Sequence, residues 1–419
     1  MTAQAEKPLR VILLMKATTY RARPFLEAAG RLGIEVVKGL DMPPELAEYW
    51  QVPLGLQFDQ PEQAVQAIVN FTRKTPVQAI LAVDDSATVL AALASEALGL
   101  AHNSGEAALA ARNKHRMRQL LAAAGVSSPK FSLYDMTDDP ARIAAEVEYP
   151  CVVKPLLLSG SRGVIRADNP AEFDVAFRRL GRLLASMQRA PGSTQILVEN
   201  FIPGFEVALE GMLAQGELKV LALFDKPDPL DGPFFEETIY VTPSRLSEPV
   251  QTEIAACTAS AAAALGLRHG PIHAELRVNE AGPWIVEVAG RSIGGLCSQT
   301  LRFGPEVSLE ELILRQAVGL EIDSWRGDEG AKGVMMIPIP VAGLLKRVTG
   351  LEAARQVPGI ESVEITAQLY QPLVPLPEGE SYLGFIFARG NRPDDVEAAL
   401  RQAHAQLHFE VETLLPVLQ

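Results

Sequence analysis

The first hundred residues alternate between short apolar runs and stretches of helical spacing, and that alternation leaves few folds open. Residues 9–15 form a mainly apolar run suited to a buried parallel strand, 23–32 have helical character, and 34–37 read as a second short strand. Residues 63–73 place Ala64, Ala67, Ile68 and Phe71 on one helical face. A further strand at 79–83 ends in Asp84-Asp85-Ser86, and a helix rich in Ala and Leu follows to Leu98. Strand and helix alternating at this pitch predict a doubly wound α/β domain that closes near residues 102–105.

The remainder of the chain has another rhythm. Residues 107–124 read as one strong helix, ended by Gly125 and Ser127-Ser128-Pro129. Two strands, 150–157 and 164–167, are joined by Ser159-Gly160-Ser161-Arg162-Gly163. Strands follow at 195–200, 206–213 and 219–225, then a helix at 252–266. Residues 272–278 and 284–289 bracket Asn279-Glu280-Ala281-Gly282, a hairpin turn signal. A helix at 308–318 leads to a Gly-rich, charged stretch at 327–333. Beyond it, strands at 362–367 and 382–389 and a helix from Pro393 predict a small α+β unit. At 419 residues the chain has length for two to four domains.

Composition excludes several classes. A formal net charge of -13 argues against a nucleic-acid binder, which needs a basic face. Three cysteines, an odd number without a CxxC pair, argue against a disulfide framework or a zinc site and point to a reducing cytoplasm. The uncharged stretch at 255–267 is too short to span a bilayer, so no membrane partner is expected.

Four constellations carry chemistry. Lys154 lies inside the apolar strand Cys151-Val152-Val153-Lys154-Pro155, where an ammonium is costly unless it meets an anion. The small residues Ser159, Gly160, Ser161 and Gly163 follow it, and their backbone N–H groups suit a flexible cover over phosphates. Glu199, with Phe201 and Ile202 after it, suits the adenine end of a nucleotide, and Glu206 its ribose hydroxyls. Glu275 and Glu287 stand in the two strands of the hairpin, each flanked by apolar neighbours. A turn centred on Ala281 sets them opposite one another. Adjacent carboxylates repel, and a bound divalent cation, Mg2+ or Mn2+, resolves that repulsion; the alternative is one acid on a solvated face and the other salt-bridged. Arg291, four residues past Glu287, suits a carboxylate or a developing acyl-phosphate. Alone, the first group fits an ordinary hairpin turn with a snorkelling lysine equally well, and the acids of the second group read as ordinary surface acids.

Taken in order, the segments ARNKHRMRQLLAAAGV, YPCVVKP with SGSRGV, ILVENFIPGFEVALEG and HAELRVNEAGPWIVEVAGRSIGG resemble the ATP-grasp superfamily over about residues 1–325. The resemblance implies a Rossmann-like N-terminal domain (1–105), a two-lobed α+β ATP-grasp domain (106–325, lid about 130–198) and a C-terminal domain (326–419). It implies that Lys114 and Lys154 contact ATP, that residues 159–163 form the lid loop and that Glu199, Phe201, Ile202 and Glu206 hold the nucleoside. Glu275 and Glu287 would then bind metal, and Arg291 would stabilise the acyl-phosphate. The Glu-x-x-x-Arg spacing and the tail at 333–389 look most like the L-amino acid ligases that make dipeptides. Two positions depart from the pattern: Ala289 and Tyr240 stand where relatives carry Asn and His.

The expected activity is ATP-dependent joining of a small-molecule carboxylate to an amine, with Glu237 or His273 as the base. An ATP-grasp carboxylase or purine-pathway ligase, and a nucleotide-binding protein without turnover, are the alternatives. A homodimer is the commonest assembly for a soluble enzyme of this kind.

Overall fold

The structure, a computed structural model, describes residues 8–413 except 188–193, 305–306 and 323–324. The outer ends of the expected first and last segments, and short pieces of the lid and of the grasp segment, lie outside these residues.

The N-terminal alternation folds as its pattern predicts. Strands Leu54–Leu56, Glu35–Asp41, Arg10–Met15 and Ala79–Ala82 lie side by side in that order, and every pair is parallel. Arg10–Met15 is central and is buried from Val11 onward, as expected of a strand covered on both faces. Helix Ala22–Leu32 buries Phe25, Ala28 and Ala29 and stops at Gly33, whose φ of 66° few other residues adopt cheaply.

The expected helix 107–124 is two helices, Gly105–Arg112 and Lys114–Ala123. Asn113 between them is extended (φ -94°, ψ 108°), and its side chain accepts from the Arg116 N–H. Helical periodicity runs straight through this point, so only the Asn N-cap chemistry marks the break. The break turns Lys114 inward at the first position of the second helix, where its N–H donates to the Leu156 carbonyl at 3.1 Å.

Two antiparallel sheets face the site. A four-stranded lid sheet has the order Phe131–Asp135, Gln195–Asn200, Cys151–Pro155, Ile165–Ala167, and helix Pro170–Met187 packs its Phe173, Phe177 and Leu180 into the lid core. An eight-stranded sheet runs Gly282–Ala289, Gly270–Asn279, Phe205–Ala214, Glu217–Lys226, Ile239–Thr242, Ala331–Ile337, Gly384–Gly390, Ile360–Ile365. Its last three strands come from the C-terminal third, so the sheet passes through residue 326 without interruption. A separate three-stranded sheet (Pro372–Leu373, Gly343–Thr349, His408–Glu412) completes that third.

Gly204 joins lid to large sheet. Its φ is 131°, and a Cβ there would come within 2.3 Å of the Val278 carbonyl oxygen, so the connection crosses the neighbouring strand only as glycine.

Candidate active site

The lid, the large sheet and the N-terminal loops enclose a cavity of about 440 Å³. Every site residue expected from the sequence lines it except Gly163. Gly163 has φ 75° beside Leu180, and its N–H donates to the Pro377 carbonyl at 2.8 Å.

At one end, charge is arranged around a carboxylate. Glu199 is buried, and Lys154 Nζ lies 2.6 Å from its Oε2 while Arg118 Nε donates to its Oε1 at 2.7 Å. Burial alone would raise the Glu199 carboxyl, but Arg118 and Lys154 outweigh it and hold the group below the ordinary range. Burial lowers the Lys154 ammonium despite its partner. Lys114 Nζ donates to the Leu158 carbonyl at 2.8 Å and to Glu287 Oε1 at 3.2 Å. Phe201 lies between two guanidinium groups, Arg166 at 4.1 Å and Arg277 at 4.9 Å from its ring centre. Sequence reasoning passed over Arg118. Its signal was present: four residues after Lys114, it faces the same side of the helix.

At the other end, carboxylates surround a cation. Glu206, Glu237 and Glu275 bring one oxygen each to within 4.8 Å of one another. Buried Lys226 contacts all three, with Nζ 2.9 Å from Glu206 and 3.4 Å from Glu275 and a short hydrogen bond to Glu237. Arg277 holds the second Glu206 oxygen at 3.0 Å. Burial lowers an ammonium, but the charges of Glu206, Glu237 and Glu275 outweigh it and hold Lys226 well above its usual range. Burial and the nearby Glu275 push Glu237 up to about 7. Lys226 stands one residue beyond the expected strand 219–225, an isolated Lys in Phe224-Asp225-Lys226-Pro227, and nothing local tied it to Glu275.

Glu275 and Glu287 are direct cross-strand partners, as the hairpin predicts. The route to that register differs. The turn is the two-residue Glu280-Ala281, and the ladder shifts between Glu275 and Leu276, leaving Val286 as an extra residue. An unbroken ladder would set Glu287 against Ala274, on the opposite face of the sheet. The carbonyl of Val286 accepts from Arg118 Nη2 at 2.5 Å, so the bulge is tied to the buried charge network. Both acids also have cationic partners: Glu275 meets Lys226 and His273, and Glu287 meets Lys114.

His273 Nδ1 lies 3.1 Å from Glu210 and Nε2 lies 3.4 Å from Glu275. Burial opposes its charge, but those hydrogen bonds hold the imidazole up at about 9. Glu210 also accepts from the Ile293 N–H at 3.0 Å, fixing the loop that carries Arg291. Arg291 Nη2 meets Asp85 Oδ2 at 2.7 Å, and the first domain's Arg21 donates to the Ile293 carbonyl at 2.8 Å.

Three stretches of the chain match known families. Residues 26–102 match the ATP-grasp N-terminal domain, 147–300 the ATP-grasp domain and 335–412 the L-amino acid ligase C-terminal domain 2. The chain belongs to the ATP-grasp superfamily. It resembles the L-amino acid ligase of Bacillus licheniformis with a TM-score of 0.77 and 25% identity over 97% of this chain and 100% of that one. Alanine–anticapsin ligase of Bacillus subtilis is 27% identical over 340 residues, 70% of this chain and 71% of the relative. Dapdiamide A synthase of Enterobacter agglomerans is 27% identical over 234 residues, 55% and 54% of the two chains. Among the described residues of this ATP-grasp protein, no helix is long and apolar enough to cross a membrane.

Proposed function

We propose that this chain joins the carboxylate of one amino acid to the amine of a second at the expense of ATP, through an acyl-phosphate, releasing ADP and phosphate. The observation that carries the reading is the sharing of one cavity by Lys114, Lys154, the acid pair Glu275–Glu287 and Arg291. The likeness to L-amino acid ligases over nearly the whole chain supports the same reaction class.

In this reading Lys114 and Lys154 bind the phosphates, and residues 159–161 cover them. Phe201 and Ile202 border the base. Arg291 releases Asp85 to meet the substrate carboxylate, then the charge that develops as the phosphoryl group arrives. Such transfer is mainly positioning and charge neutralisation, so no nucleophilic side chain is required. Glu275 and Glu287 offer hard oxygen donors on the cavity face, directly opposite one another in the ladder. That donor set fits a divalent cation, Mg2+ by preference, with Glu275 and Glu287 as its holders. When bound, the ion neutralises phosphate oxygens. Glu237, held at about 7, is suited to take the proton from the attacking ammonium, and His273, charged at neutral pH, orients Glu275 rather than acting as base.

Incubation with ATP, Mg2+ and mixed amino acids, followed by mass spectrometry, tests the reading. A peptide with matching ADP release supports it, and turnover that requires bicarbonate instead would assign a carboxylase. Full activity in Glu287→Ala overturns the metal assignment.

A further inference from the structure

The loop proposed to cover the phosphates is held by a segment from the far end of the chain. Arg179, on the lid helix Pro170–Met187, grips Glu378 with both arms: Nε to Oε1 at 2.6 Å and Nη2 to Oε2 at 2.9 Å. Arg162, inside the loop, donates from Nε to the Glu378 carbonyl at 2.8 Å and lies 3.3 Å from Glu380 Oε2. The Gly163 N–H adds its bond to the Pro377 carbonyl at 2.8 Å. Two side chains (Glu378 and Glu380) and two carbonyls (Pro377 and Glu378) of one short segment are therefore spent on the lid.

That segment is anchored to the other lobe. Leu383, fully buried, donates its N–H to the Ile337 carbonyl at 2.8 Å, and the chain then enters strand Gly384–Gly390 of the large sheet. Glu380, Ser381 and Tyr382 line the same cavity as Ser159–Ser161. The segment thus spans the gap between the lid loop and the large lobe, and it walls the site while doing so.

We propose that Arg179 and Glu378 are positioning residues for nucleotide binding: the 377–380 segment clasps the lid loop in its covering position, so lid closure depends on the C-terminal part of the chain. The proposal rests on the reading of 159–163 as the nucleotide lid. Bidentate arginine–carboxylate geometry gives the clasp direction as well as attraction. Both side chains remain over one-third exposed, so the pair can separate into water without a large desolvation change. These are the properties of a contact that forms and breaks in each cycle.

The test is titration of the full chain with a non-hydrolysable ATP analogue and Mg2+, with thermal unfolding run in parallel. Glu378→Arg and Arg179→Glu are each expected to weaken the analogue roughly fivefold with an unchanged unfolding midpoint. The double swap is expected to return affinity to within about twofold of wild type. Single variants that bind as wild type, or a double swap no better than either single change, overturn the clasp. A wild-type chain that binds no nucleotide overturns the ATP reading itself, and the clasp with it.

Discussion

Two buried charge clusters of different make-up border one cavity. Around Glu199, two cations (Arg118 and Lys154) share one carboxylate. Around Lys226, three carboxylates share one ammonium, with Arg277 on the second oxygen of Glu206 and His273 on Glu275. The first cluster carries a surplus of positive charge, which suits triphosphate. The second gathers carboxylate oxygens among balancing cations, which suits a metal ion or a substrate ammonium. Each cluster should therefore respond to its own ligand.

The largest expected effect breaks the acidic cluster. Lys226→Met leaves three carboxylates without their shared ammonium and should cost about 3–5 kcal/mol of stability. Urea unfolding checks this, and Mg2+ should recover more of the loss than ATP alone. An unchanged midpoint would show that the carboxylates are solvated and the comparison is empty.

Glu199→Gln breaks the basic cluster and should cost about 3 kcal/mol, with ATP recovering more than Mg2+ alone. The pH dependence has a definite sign. Because the folded Glu199 carboxyl is held below its ordinary value, its contribution is present above about 4.5 and is lost as pH falls through the folded value. Acid unfolding curves of wild type and Glu199→Gln should therefore converge at low pH.

Arg291→Met removes the group poised for the acyl-phosphate while leaving both clusters intact. Peptide-coupled turnover should fall about 100-fold with little change in nucleotide affinity. An equal loss of affinity would place Arg291 among the ground-state phosphate contacts. The smallest effect is expected from Asp85→Asn, which weakens the ion pair that holds Arg291. A change of about fivefold in KM for the carboxylate substrate, with the thermal midpoint nearly constant, would sharpen the assignment of Asp85 as a displaceable placeholder.

Much of the scaffold is legible along the chain. The parallel N-terminal sheet follows from apolar runs alternating with helical spacing, and the hairpin that carries Glu275 and Glu287 follows from its turn residues. The helix break at Asn113 was legible only as cap chemistry inside a continuous periodicity. Lys226 and Arg277 escaped because each gains meaning from partners far away in sequence.

Along the chain, periodicity and turn propensity act over a few residues and set most of the elements and their order, while the resemblance to the ATP-grasp superfamily supplied the acids and lysines expected at the site. Only the tertiary structure decided which of those charges neutralise one another. A single extra residue at Val286 turns Glu287 to the face of Glu275, and the strand end at Lys226 brings an ammonium among three carboxylates. Register and electrostatic pairing depend on distances between segments that meet only when the sheets are assembled. That is why the cation inside the acidic cluster, and the clasp on the lid, become visible only in three dimensions.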